Sequence, residues 1–189
     1  MQFIKVRDVK SPIRNVEENA GIDFYIPENN EDFRSAFLNK NSETVMVDQN
    51  LDFALIKATD EKKNIFDMAT GMVYIAPHKD VLIPSGIKSK FSNDLALIAN
   101  NKSGVATKKK LVFGASVIDA SYQGEWHLHV INTSDKYQAI QCGTKIIQFI
   151  PHLISTDPVE IVDMSAEDFY KDTTSSRGDK GFGNGTGIN

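Results

Sequence analysis

The amino-acid sequence predicts an all-β fold, and three observations carry that prediction. Short apolar runs with period-two alternation recur at close intervals, turn residues separate them, and helical periodicity is scarce. The strand candidates are residues 3–9, 22–26, 44–47, 51–57, 72–76, 81–83, 87–91, 95–99, 111–117, 125–131, 144–150 and 159–164. That density suits an antiparallel sandwich or barrel, a jelly roll among the options.

Each element has its own justification. MQFIKVRDVK alternates as an opening strand and lacks a signal peptide's apolar h-region. AGIDF sets a carboxylate, Asp23, at the start of the next strand. Residues 31–38 place Phe33 and Phe37 four apart, the spacing of a short helix. Residues 114–132, GASVIDASYQGEWHLHVIN, read as two strands meeting at a turn. Val117 and Ile118 lead in, Ala120 to Gly124 form the bend, and Trp126, Leu128 and Val130 alternate on the way out. GTKIIQ places a polar Gln148 inside an apolar strand. Ser165 and Asp168 form a capping-box pattern that opens a short turn before Phe169. From Thr173 the chain reads TTSSRGDKGFGNGTGIN, with five of its twelve glycines in the last twelve residues. Too few apolar residues remain there to pack, so a flexible arm, residues 173–189, is expected on a single domain of residues 1–172.

Length and charge narrow the function. A chain of 189 residues suits one domain with a substantial core. A net charge of −4 and a pI near 5.6 argue against a nucleic-acid surface. No apolar run approaches the roughly 18 residues needed to span a bilayer. The single cysteine, Cys142, excludes an internal disulfide and fits a reducing compartment, so a cytoplasmic protein is expected. Within Gln141-Cys142-Gly143 it reads as an inert thiol in a turn rather than a nucleophile.

Several segments can carry chemistry, each beside a plainer reading. Asp119 stands at the mouth of the hairpin and Tyr122 on its tip. A hairpin mouth offers backbone donors and acceptors that can read a flat polar ring, and an adjacent acid can hold a water. Alone, the segment reads first as an ordinary hairpin with a solvated Asp. Asn101-Lys102-Ser103-Gly104 offers charge, a hydroxyl and close backbone approach to a phosphate, or is a plain loop. Gln148 is a ligand group or a hydrogen-bonded core residue. In the tail, glycines let backbone N–H groups curl around an anion, Arg177 can grip a phosphate, and Phe182 can close over a base. A linker end with a stray Phe is the alternative. His127 and His129, two apart, lack a third metal ligand at sensible spacing. Lys108 to Lys110 read as a solvated turn.

Taken in order, AGIDF, NKSGVA, VIDASYQG, GTKIIQ and RGDKGFG resemble the five motifs of the trimeric deoxyuridine triphosphate pyrophosphatases, the dUTPases. The resemblance covers residues 20–26 and most of 72–189, and the order and spacing of five motifs are far more specific than any one. It implies a jelly-roll (β-clip-like) subunit in a homotrimer with shared active sites, converting dUTP and water to dUMP and pyrophosphate with Mg²⁺. By position, Asp119 activates the water and Tyr122 packs under the deoxyribose. Backbone near Ser116 and His127 reads uracil. Lys102, Ser103, Gly104 and Gln148 hold phosphates, and Asp23 meets the metal through water. Arg177 holds the γ-phosphate together with either Asn184 or Thr186, Gly183 lies in the same substrate-binding segment, and Phe182 stacks on the base.

The chain departs from the family pattern in four places. Lys102 replaces an Arg and so loses a planar fork. Ser116 stands where the family has Gly. The tail reads FGNGTG rather than FGSTG. Roughly residues 27–70 form an insert, either packed structure or a surface for a regulatory protein; similar additions in phage members are compatible with a viral origin, in which case the cytoplasm is the host's. Two alternatives share these features: a dCTP deaminase of the same fold, and a nucleotide-gated regulatory protein acting through the insert.

Overall fold

Strand pairing sorts the short apolar runs into four ladders. The structure, a computed structural model, describes residues 1–48, 61–176 and 178. The chain divides into a first unit, residues 1–156, and a second, residues 157–189.

In the first unit β1 (Gln2–Lys5), β2 (Ile22–Tyr25), α1 (Glu31–Lys40) and β3 (Val45–Val47) are followed by β4 (Ile65–Asp67), β5 (Met72–Ile75), β6 (Asp80–Pro84) and β7 (Ile87–Lys90). Then come β8 (Leu95–Asn101), α2 (Ser103–Lys109), β9 (Leu111–Phe113), β10 (Val117–Asp119), β11 (His127–Asn132), β12 (Gln138–Gln141) and β13 (Lys145–Leu153). The sheets run β10-β8-β13-β2, β6-β11-β9, β12-β5-β4-β3 and β1-β7. Pairing is antiparallel except for β3 with β4. This is the mostly-β jelly-roll architecture that the strand density predicts.

Alternation explains the core. In β11 Leu128, Val130 and Asn132 are buried while His127, His129 and Ile131 point the other way. Trp126, Phe24 and Phe149 meet with ring centroids 5.0 Å apart, and Phe3 packs edge-on against the first two. Asn132, fully buried, donates to the carbonyls of Ile75, Ala76 and Lys136 and accepts from Ser134, so its polar atoms are satisfied.

The described part of the insert, residues 27–48 and 61–70, is packed structure. Asn30 caps α1 by accepting from the Phe33 N–H at 2.9 Å. Phe33 and Phe37 meet Phe66 of β4 at 6.1 and 5.2 Å, all three without solvent exposure. β3 and β4 widen the β5–β12 ribbon into a sheet.

Four expectations are corrected. The predicted strand 111–117 is two strands, β9 and β10, in different sheets. The segment 114–132 is therefore not a simple hairpin. Its base is paired through Phe113 and Val130, but it opens beyond Gly114, and β10 pairs with β8 instead of β11. The plain loop expected at 101–104 and the turn expected at 108–110 give way to α2 over residues 103–109; Lys110 closes it in a left-handed conformation, φ 53°, with its N–H on the Ala106 carbonyl. Residues 159–164 form no strand, and Val159 and Ile161 are 94% exposed. Alternation alone makes no strand without a neighbour to complete its ladder. The strand predicted at 51–57 lies outside the described residues. In the second unit Ser165 caps α3 (Ala166–Tyr170) by accepting from the Asp168 N–H at 3.0 Å.

Candidate active site

β8 is the beam on which the candidate residues are mounted, and they gather at its two ends. At the C-terminal end, β8 hands directly to α2, with Lys102 at the N-cap. Lys102, Ser103, Gly104, Val105, Lys108 and Gln148 line a cleft of about 380 Å³. Gln148 stands in register between Asn100 of β8 and Asp23 of β2. Its amide donates to the Asn101 carbonyl at 3.2 Å. The side chain crosses Gly21 so closely that a Cβ there would lie 2.2 Å from Oε1, which explains the glycine of AGIDF. Lys108 is a contributor that the sequence reading missed. Its position in the cleft depends on α2 carrying it one turn from Gly104, and a Lys run in an assumed loop gives no such signal.

Asp23 is buried beneath this cleft and fully engaged. Lys102 donates to Oδ1; Lys145 and Asn15 donate to Oδ2 at 2.9 and 3.0 Å. Burial by itself pushes the carboxyl pKa up, but the hydrogen bonds and charges of Lys102 and Lys145 outweigh it and hold the group below the usual carboxylate value. Lys145 is in turn raised, first by its hydrogen bond to Asp23. The phosphate and metal candidates, Lys102 and Asp23, are thus paired with each other in the free chain.

The second group surrounds the opened mouth of segment 114–132. Asp119 ends β10 opposite Ala96, with its side chain exposed. Its carbonyl accepts the Tyr122 N–H at 3.1 Å, and Tyr122 reaches over the turn to donate its hydroxyl to the Glu125 carbonyl at 2.9 Å. Glu125 is fixed by a bidentate pair with Arg7, at 2.9 and 3.0 Å, and by the Gly86 N–H at 2.7 Å. Tyr122 remains 42% exposed, an open aromatic face. Ser116 and His127 are half-buried on the two sides of the mouth. Burial, then the charge of Lys40, lowers the His127 pKa against the opposing pull of Glu125, so the imidazole is neutral at pH 7.

Asp119 and Lys102 stand at opposite ends of β8, with Ser116 between them, its carbonyl accepting the Ala99 N–H at 2.7 Å. Asp119 pairs at Ala96, near the start of β8, and Lys102 follows its end. At about 3.4 Å per residue the interval from Ala96 to Lys102 is about 20 Å. Arg177, Phe182, Gly183, Asn184 and Thr186 lie outside the described residues.

A dUTPase family model matches residues 52–186. The deoxyuridine 5'-triphosphate nucleotidohydrolase of Picosynechococcus sp. is 34% identical over 113 residues, covering 59% of this chain and 75% of that protein. The dUTPase of Staphylococcus bacteriophage 80alpha, solved with dUpNHpp, is similar with a TM-score of 0.65 at 18% identity, covering 97% of this chain and 96% of that one. A mutant dUTPase from phage phi11 of S. aureus, whose structure details coordination of a structural Mg(II) ion, has a TM-score of 0.58 at 17% identity, over 87% of this chain and 97% of that one. The phage structures speak to the fold; the family match and the cyanobacterial relative go further, and on them the chain belongs to the dUTPase family.

Proposed function

We propose that this protein is a cytoplasmic enzyme that hydrolyses dUTP to dUMP and pyrophosphate, limiting uracil incorporation into DNA and supplying dUMP. The observation that carries the reading is the gathering of four dUTPase-like motifs at the two ends of β8 in a chain of that family.

Asp119 orients a water against the α-phosphorus. As the new P–O bond forms, the bond to the bridging oxygen breaks, pyrophosphate leaves with the electron pair, and Asp119 takes the water's proton. Lys102, Ser103, Gly104 and Gln148 position the phosphates, joined by Lys108 from the same cleft. Tyr122 packs under the deoxyribose and leaves no room for a 2′-hydroxyl. Backbone groups near Ser116 and His127 read uracil; cytosine's 4-amino group reverses one donor–acceptor pair. Arg177 with Asn184 or Thr186 meets the γ-phosphate, Gly183 belongs to the same binding segment, and Phe182 stacks on the base.

The separation of about 20 Å along β8 supports sites shared between subunits. A homotrimer in which one subunit's Asp119 end faces the next subunit's Lys102 end assembles both halves around one nucleotide.

Mg²⁺ fits on the triphosphate rather than in a protein cage. Among the described residues no group of three or more His, Cys, Asp or Glu side chains is arranged to hold a metal. Mg²⁺ commonly keeps several waters and takes substrate phosphates with one or two carboxylates, and Asp23 would hold it through water. Bound there, the ion neutralises phosphate charge. Transfer of Lys102 from Asp23 to a phosphate would free Oδ1 to hold the ion through water.

A regulatory protein partner at the insert would meet the outer face of α1, where Glu31, Asp32, Ser35, Leu38 and Lys40 are exposed.

The test is pyrophosphate release from dUTP with Mg²⁺. The wild type turns over, and Asp119→Asn loses roughly 10²- to 10⁴-fold in kcat, the range for loss of a general base. An inert wild type, or a variant as fast as wild type, refutes the assignment. Ammonia release from dCTP establishes the deaminase alternative instead.

A further inference from the structure

β9 ends at Phe113 while β11 continues, so the chain must cross from one sheet to another within residues 114–116. The last strand-like bond runs from the Gly114 N–H to the His129 carbonyl at 3.0 Å. The following amide, Ala115 N–H, donates to the His129 side chain, at Nδ1, 3.1 Å away. Ser116 then joins the other sheet, its carbonyl accepting the Ala99 N–H at 2.7 Å. One imidazole thus spans the point where the ladder is abandoned.

The bonds define its protonation. A backbone N–H only donates, so Nδ1 is the bare acceptor and the ring hydrogen is on Nε2. Asp80 of β6 selects this tautomer by accepting from Nε2 at 2.9 Å. Space for the ring comes from Gly114, where a Cβ would lie 2.1 Å from Nδ1.

We propose that His129 is a positioning residue for base recognition. Held by Asp80, its Nδ1 fixes Ala115 and thereby sets the path of Ser116 into the mouth that reads the pyrimidine edge. This rests on the reading of Ser116 and His127 as the base-reading segment. His129 touches no phosphate group in this scheme, so its loss alters selection of the base and leaves phosphate binding and the chemical step alone.

The experiment compares wild type, His129→Leu and His129→Asn, whose amide oxygen stands close to the place of Nδ1. It measures dUTP and dCTP turnover, inhibition by inorganic tripolyphosphate, and the ¹⁵N spectrum of the histidine rings. His129→Leu is expected to raise KM for dUTP roughly tenfold, the effect of one lost hydrogen bond. It narrows the preference over dCTP and leaves kcat and tripolyphosphate inhibition unchanged; His129→Asn restores KM. Gly114→Ala, which pushes the ring off Ala115, gives the same KM change and serves where His129→Leu does not fold. In the wild type, Nδ1 shows the shift of an unprotonated ring nitrogen. An unchanged KM in His129→Leu, an Asn variant that does not rescue, or a protonated Nδ1 overturns the proposal. So does an equal loss of tripolyphosphate affinity, which marks general disorder. If the wild type does not hydrolyse dUTP, the functional reading fails separately, and the Nδ1 signature still decides whether the bracket exists.

Discussion

Asp23 is the residue on which the phosphate end of the fold depends. Its side chain is 6% exposed and three groups donate to it. Its pKa in the folded chain is below the ordinary 3.8, so its contribution is complete above that value and is lost as pH falls through the folded value. Asp23→Asn is expected to cost about 1–3 kcal/mol at neutral pH, the range for leaving buried partners unsatisfied. The gap between variant and wild type begins to narrow below about pH 4 and closes only below the depressed folded value; urea denaturation across that range measures both. A constant gap would show that Asp23 acts through packing rather than charge. Asp23, Lys102 and Gln148 were legible in the sequence because each sits in a short motif. Lys145 was not: it lies in GTKIIQ as an ordinary strand lysine, and only the β2–β13 pairing turns it toward Asp23.

At the scale of elements, strong periodicity was read correctly and short or borrowed structure was not. The helix over 31–38 is present as α1, with Phe33 and Phe37 buried as their spacing requires. β4 and β12 escaped notice because three or four residues hold too little alternation to register. α2 escaped because Ser-Gly-Val-Ala-Thr has poor helix propensity; its frame is tertiary, with Val105 packed on the core and the Lys110 carbonyl accepting from Thr133. The insert is bound into the first unit by its aromatic residues, so removing it whole would strip the core as well as any partner surface. Phe37→Ala should cost about 3–5 kcal/mol, while Ser35→Ala on the exposed face stays within about 0.5 kcal/mol. Urea denaturation distinguishes them; a small effect of Phe37→Ala would mean that the insert is not part of the core.

The whole molecule poses the question of where one active site resides. Asp119→Asn and Lys102→Ala each disable one end of β8. If sites are shared, co-refolding the two inactive variants yields mixed trimers in which some sites draw an intact Asp119 from one chain and an intact Lys102 from another. A measurable fraction of wild-type turnover should return on mixing. If each site lay within one chain, every chain would carry a defect and mixing would recover nothing. The sequence by itself determined the chemical inventory and its order, since motif residues and their spacing are local properties of the chain. It also determined the β class, because alternation follows from the geometry of a single strand. Tertiary structure alone decided that β10 leaves β11 for β8, that Lys102 rests on Asp23, and that Asp119 and Lys102 stand at opposite ends of one strand. Those outcomes are set by pairing between residues distant in the chain, which no local pattern encodes.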